Sequence, residues 1–453
     1  MREKFHILSR RHLNPTRIVV GSFAAIIILG ALLLTLPIAS KSGQSAGFFT
    51  GLFTATSATC VTGLILVDTF TQWTVFGQAV ILCMIQMGGL GFMTVITLVS
   101  FVLHRRIGLS ERLIMVSTLN LNDMSGVVRV VRNALLGTLV FEGTGAVILS
   151  LRFIPEYGLV GGIWRGIFHA ISAFCNAGFD LLGSEGPFSS MVTRDGDPVV
   201  LITLMCLIVI GGLGFFVWAD IRESKHWRKY ATYTKLVLGI TAVLIVLGAV
   251  FFLAIEWSNP KTLGEMPLWK KVLNSFFQSV TLRTCGFNSI DQGALQDSSK
   301  AAGILLMLVG GSSGSTAGGI KTVTMGVLLL ALRAGMHGSD EVTIGEKTIS
   351  PRRVINAMTL VLIVIFIFFG GSMILSVAEG LPFLDCGFEI ASALGTVGVT
   401  TGMTPSLSAL SRIVVICCMF IGRVGIMSFS IAFLTHKNAA AKIKYPHMDI
   451  MIG

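Results

Sequence analysis

Long apolar runs dominate the chain. Eight of them reach the roughly 20 residues that a helix needs to cross a hydrocarbon core: 18–39, 75–103, 134–153, 199–218, 236–255, 301–330, 354–378 and 413–434. The sixth is interrupted by the stretch GGSSGSTAGGIK. Between the two members of each pair lies a shorter apolar stretch of about a dozen residues, which cannot span. Such a stretch enters a membrane only where protein shields it from lipid. The pattern predicts an all-α integral membrane protein with eight transmembrane helices and four re-entrant segments.

Composition agrees. Of 453 residues, 53% are hydrophobic and 13% charged, against roughly 25% charged in a soluble domain. This excludes a soluble enzyme, a disordered chain and a nucleic-acid binder, despite a net charge of +11. The basic residues instead read as a topology signal. They cluster at Arg2, Lys4, Arg10, Arg11 and Arg17, in 105–132, 222–235 and 333–353, and at Lys437, Lys442 and Lys444. The alternate connections carry Asp68, Asp180, Glu185, Asp195, Asp197, Glu256, Asp291 and Asp385. The positive-inside rule puts both termini in the cytoplasm and brings the re-entrant segments in from outside. The basic loops also suit an acidic partner face or anionic membrane lipid. Eight cysteines form no CxxC pair and read as buried thiols. The first apolar run is too long for the core of a cleavable signal peptide.

The short stretches align as a repeat: FTATSATCVTGL, FHAISAFCNAGF, FFQSVTLRTCGF and FEIASALGTVGV. A Phe stands ten residues before a Gly in each: Phe53 and Gly63, Phe168 and Gly178, Phe276 and Gly286, Phe388 and Gly398. Ser57-Ala58, Ser172-Ala173 and Ser392-Ala393 recur between them, and the third copy departs with Val280-Thr281. The glycines are about 110 residues apart. Each following run carries Gly-x-x-Gly: Gly88/Gly91, Gly211/Gly214, Gly311/Gly314 and Gly422/Gly425. One such motif means close helix packing or a bend. Four in step with the first motif mean a repeat. The expected boundaries are a cytoplasmic segment at 1–16, repeats at 17–104, 127–222, 232–333 and 352–436, and a tail at 437–453.

Four short helices, each followed by a glycine strand, aim backbone carbonyls at one axis and replace the hydration shell of a cation. Glycine serves where carbonyl directions must alternate. A set of tight turns is the plainer alternative for any single copy, but not for four in register.

These motifs resemble the ion-conducting subunit of the Ktr-type potassium uptake systems, in the Trk/Ktr/HKT superfamily, from about residue 16 to residue 436. The resemblance implies four units of membrane helix, pore helix and membrane helix in one chain, pseudo-fourfold around a central pore. It implies a potassium-binding filter at Val61, Thr62 and Gly63, at Asn176, Ala177 and Gly178, at Thr284, Cys285 and Gly286, and at Thr396, Val397 and Gly398. In plant relatives a Ser at the first filter glycine accompanies sodium preference, so Gly63 favours potassium. The shorter Ktr subtype fits better than the longer Trk subtype. Also implied are a homodimer in a prokaryotic cell membrane, a cytosolic RCK-type nucleotide-binding regulatory ring as partner, and sodium as coupling or activating ion. No residue here is assigned to sodium, and no covalent cofactor is expected.

The interrupted sixth run holds Gly310, Gly311, Ser312, Ser313, Gly314, Ser315, Thr316, Ala317, Gly318 and Gly319. Each glycine costs a helix about 1 kcal/mol relative to Ala. It is no phosphate loop, because GIKT lacks the spacing and no strand precedes it. In the family the stretch resembles an intramembrane gate loop, and Arg423 matches an Arg at the pore constriction. An intramembrane Arg costs roughly 3 kcal/mol or more and faces a cavity. Lys321 is expected to snorkel, Glu142 to hydrogen-bond a neighbouring helix, and His169 and Arg283 to be structural. No nucleophile–base pair or metal-ligand cluster argues for an enzyme. A carrier with a midplane pocket, a sodium-conducting or non-selective relative and a membrane scaffold remain as alternatives. The carrier expects inverted repeats; the scaffold gives no reason for four glycine strands.

Overall fold

The molecule is seen here as a computed structural model that describes residues 15–91 and 127–425, apart from residues 225, 340 and 346. The N-terminal basic cluster up to Arg11, the loop at 105–126, the tail, residues 92–103 of the second run and 426–434 of the eighth lie outside the described residues. So do the expected boundaries at 104 and 436.

Three kinds of helix follow one another along the chain. Long outer helices are α1 (Pro15–Thr35), the first part of α5 (Val127–Phe174), α8 (Thr232–Glu256) and α12 (Pro351–Glu379). Short helices are α2 (Phe48–Thr59), the last part of α5, α9 (Leu268–Thr281) and α13 (Phe383–Gly395). Inner helices are α4 (Val75–Leu90), α6 (Pro198–Leu213), α10 (Asp297–Leu308) and α14 (Ala409–Val424). Among the described residues the remaining α-helices are a single turn α3 (Thr69–Gln72), α7 (Phe215–Ser224) after α6, and α11 (Thr322–Met336) after the glycine-rich stretch. Among the described residues the one strand pair is a hairpin of β1 (Thr343–Ile344) and β2 (Lys347–Thr348) between α11 and α12.

Side chains sort these helices by depth. The outer helices turn Leu29, Leu139, Leu247 and Phe366 outward, as a lipid face requires. The short helices are closed in: every residue from Cys386 to Gly395 of α13 is buried, as is Phe53 to Thr59 of α2. An apolar helix too short to span is thereby sheltered from lipid. Three of the four inner helices begin on side-chain caps, with Thr74, Asp197 and Ser408 accepting the backbone N–H of Gly77, Val200 and Ser411. Such caps satisfy donors that a helix start leaves free.

Of the eight spans expected from hydropathy, with the sixth interrupted, the second and eighth lie partly outside the described residues. Among the described residues four helices are long and apolar enough to cross a membrane, or five if α6 and α7 count as one span bent by 93°. Three inner helices, α4, α6 and α14, end at the second glycine of their Gly-x-x-Gly, whereas α10 already ends at Leu308. Gly91, Gly214, Gly314 and Gly425 all have positive φ (81°, 91°, 71° and 91°), which an α-helix cannot hold. The motif therefore marks breaks. Only the third break was legible beforehand. Its first glycine marks close approach: an added Cβ at Gly88, Gly211 or Gly422 would stand 1.9, 2.0 or 2.2 Å from the carbonyl oxygen of Thr59, Phe174 or Leu394.

Candidate functional site

The short helices end in four strands that converge. In each, the residue two before the glycine has positive φ: Val61 56°, Asn176 61°, Thr284 72° and Thr396 51°. The glycines do too, at 94°, 69°, 99° and 95° for Gly63, Gly178, Gly286 and Gly398. Left-handed and ordinary conformations thus alternate along each strand. Glycine takes the left-handed region freely. For β-branched Val61, Thr284 and Thr396 it costs roughly 1–3 kcal/mol each, persisting only where the surroundings over-determine it. Sequence reading missed this second set of left-handed residues, because nothing in Val, Asn or Thr announces it.

The strands close a ring. An added Cβ at Gly63 would lie 2.5 Å from the Ala177 carbonyl oxygen, and one at Gly178 would lie 2.2 Å from that of Cys285. At Gly286 it would lie 2.4 Å from the Val397 oxygen, and at Gly398 2.0 Å from that of Thr62. Each strand therefore rests its carbonyl against the glycine of its neighbour, first to second, third, fourth and back to the first. Four carbonyl oxygens, of Thr62, Ala177, Cys285 and Val397, occupy equivalent places around the ring.

Hydroxyls on the short helices hold the strands. Ser57 and Ser392 Oγ accept the N–H of Gly63 and Gly398, each at 3.0 Å. Ser172 Oγ and Thr281 Oγ1 instead donate to the carbonyls of Phe179 and Phe287, each at 2.7 Å. Thr281 corrects the alignment of the third copy. Phe277 is fully buried there like Phe53, Phe168 and Phe388, whereas Phe276 is exposed. Counting from Phe277, the hydroxyl again comes four residues later, and one residue is missing between it and Gly286. The backbone agrees: Cys285 N–H bonds the carbonyl four residues back, at Thr281, where Thr62, Ala177 and Val397 reach five back. The recurring hydroxyl was the signal that would have found this.

The glycine-rich stretch lies against the ring. Its two limbs pair through Gly310 N–H to the Ile320 carbonyl (2.9 Å) and Thr322 N–H to the Gly311 carbonyl (3.0 Å). The break between α6 and α7 receives it: Ser312 N–H bonds the Gly212 carbonyl at 3.0 Å, and Phe215 N–H the Gly314 carbonyl at 3.0 Å. Ser312 Oγ donates to the Leu213 carbonyl, Ser315 Oγ to the Ser312 carbonyl and Tyr233 to the Ser313 carbonyl. Thr316 Oγ1 touches Asn176, and a Cβ on Gly318 would stand 2.1 Å from Thr396 Oγ1. Gly319 turns the chain back with φ 66°.

Arg423, on the last turn of α14, donates to the carbonyls of Thr316 in the loop and Gly88 on α4, and to that of Gly89 at 3.0 Å. One guanidinium so bridges loop and inner helix. Lys321 does not run free to a surface; its Nζ donates to the Ala317 carbonyl at 2.7 Å. Arg283 bonds the Gly310 carbonyl at 3.3 Å. His169 Nε2 accepts the Leu181 N–H at 3.3 Å, and Glu142 accepts from Gln86 at 3.0 Å.

Apolar outer helices enclosing a closed ring of backbone oxygens mark a multi-pass membrane protein, and the family match makes it a transporter and not an enzyme. Residues 6–443 match the family described as TrkH, cation transport protein, and the chain belongs to that family. It is 40% identical to the potassium/sodium uptake protein NtpJ of Enterococcus hirae, covering 98% of each chain. It is 39% identical to the Ktr system potassium uptake protein B of Bacillus subtilis, over 100% of this chain and 99% of that one. The crystal structure of the potassium transporter TrkH from Vibrio parahaemolyticus has the same fold, with a TM-score of 0.74 at 16% identity, covering 94% of this chain and 86% of that one.

Proposed function

We propose that this chain takes up potassium across a cell membrane through the ring of four strands. The single observation that carries the reading is head-to-tail closure of the ring, each carbonyl against the next glycine. In this reading Val61 to Gly63, Asn176 to Gly178, Thr284 to Gly286 and Thr396 to Gly398 form the filter. Their oxygens replace the water of a dehydrated cation. The four units, near the boundaries expected from the repeat, stand pseudo-fourfold about one pore, with broken inner helices completing eight membrane passages. Both termini are cytoplasmic. The names of the relatives from E. hirae and B. subtilis support potassium as cargo.

The loop at 311–319 and Arg423 form the gate beneath the filter. Their support is the set of bonds from Arg423 to loop and inner helix. A guanidinium on the axis repels a cation, and the carbonyls hold it there. Opening moves the loop aside. A homodimer, a cytosolic RCK-type nucleotide-binding ring acting on the basic loops, and dependence on sodium complete the proposal. The name of the E. hirae relative keeps sodium as a second cargo. The test is potassium uptake by transport-deficient cells expressing this chain, with and without sodium. Uptake selective for potassium and absent from a Gly178→Asp chain is expected; equal sodium and potassium uptake would replace the reading with a non-selective pore.

A further inference from the structure

Asn176 differs from its three equivalents. Val61, Thr284 and Thr396 end in methyls or a hydroxyl, whereas Asn176 carries an amide, buried between three elements. Asn176 Nδ2 lies 3.3 Å from Thr284 Oγ1 of the third strand. Its Oδ1 lies 3.1 Å from Thr316 Oγ1 of the loop, and that same hydroxyl lies 3.0 Å from the Phe174 carbonyl oxygen. A hydroxyl has one proton, so it cannot serve two acceptors fully. Turning the amide over resolves the conflict, since its O and N are assigned from the network. Thr284 then donates to the amide oxygen, the amide NH₂ to Thr316, and Thr316 to the Phe174 carbonyl. Each of the three bonds then has one donor and one acceptor, all running in one direction.

Gly211 makes room for this chain of bonds. A Cβ there would stand 2.0 Å from the Phe174 oxygen and 2.9 Å from both Asn176 Oδ1 and Thr316 Oγ1. The loop backbone is pinned at the same point, with Thr316 N–H on the Gly211 carbonyl at 3.3 Å. Thr316 is also the residue whose carbonyl receives Arg423. One loop residue therefore faces the gate arginine with its backbone and the filter with its side chain.

We propose that Asn176 is the positioning residue that ties the spacing of the second and third filter strands to the seating of the loop. Ion preference is then highest with the loop seated and falls when Thr316 leaves. The proposal rests on reading the strands as filter and the loop as gate. Its test is the potassium-over-sodium preference of the purified full chain in liposomes, for Asn176→Val, Thr316→Val and the double variant. Loss of one hydrogen bond predicts a fall of about fivefold in each single variant. Because both act through one chain of bonds, the double should fall no further than about twofold beyond either single. Thr316→Ser, which restores the hydroxyl, should restore the preference. An unchanged preference in Thr316→Val, or an additive fall of about 25-fold in the double, overturns the proposal. Total flux through a chain lacking 312–318, measured alongside, reports on the gate reading separately. A flux that does not rise sinks the gate and leaves the preference data to judge the link between Thr316 and Asn176.

Discussion

Around the ring, the residues just before the four glycines are Thr62, Ala177, Cys285 and Val397, with no chemistry in common. Beneath it, the contacts are individual: Thr316 on Asn176, Gly318 against Thr396, Arg423 on Thr316, Gly88 and Gly89. The ring is made by backbone conformation, repeated four times. The loop adds to its backbone bonds particular side-chain contacts, made once. A backbone device tolerates varied side chains but no Cβ at its glycines. A side-chain device gives way to single deletions without loss of the ring.

The largest effect should come from breaking the ring itself. Gly398→Ala drives a methyl into the Thr62 carbonyl and fixes an L-residue at φ 95°. Potassium uptake should drop to background while the protein still inserts, as read by uptake against membrane abundance. Normal uptake would remove Gly398 from the filter.

Arg423→Ala leaves the ring whole and releases the loop. Flux should rise about tenfold, which is about 1.4 kcal/mol off a barrier. Isotope flux into proteoliposomes measures it. A lower flux from a folded, inserted chain would make Arg423 a structural brace.

Ser392→Ala sharpens the ring half of the contrast. It strands the Gly398 N–H, at about 1–3 kcal/mol for a buried unmet donor. Potassium preference and thermal stability should both fall, and Ser392→Thr should recover them. Ser57→Ala should behave alike, because Gly63 uses the same bond.

The smallest effect tests a contact outside both regions. Lys300, buried on α10, pairs at 2.8 Å with Asp385 on α13, which is partly exposed. Lys300→Met should cost no more than about 1 kcal/mol and leave ion preference unchanged, as read from a melting curve and a flux ratio.

The four glycines and the four Gly-x-x-Gly pairs were legible because a repeat multiplies a weak local signal. So was the interruption at 310–319, where glycine content alone defeats a helix. Three features stayed hidden. The breaks at Gly91, Gly214 and Gly425 sit in runs that are apolar throughout, and hydropathy does not register φ. The left-handed Val61, Thr284 and Thr396 are imposed by the neighbours they touch. The shift in the third copy follows from burial of Phe277 in place of Phe276, two identical letters that only the hydroxyl four residues on could have told apart. Arg423 could be singled out by its cost in an apolar run. Its partners, carbonyls some 107 and 335 positions away along the chain, could not.

Ring closure has a consequence for synthesis. The last strand contacts the first, with Gly398 against Thr62, and α14 sends Val424 into a cluster with Val20 and Phe23 of α1. A ribosome delivers these partners almost a whole chain apart. Until the fourth strand arrives, Gly286 lacks its Val397 neighbour and the Thr62 carbonyl faces nothing. Three units already inserted thus enclose no selective passage. A chain that stops before residue 398 therefore lacks the closed ring, and the first and last units must meet before the finished arrangement exists.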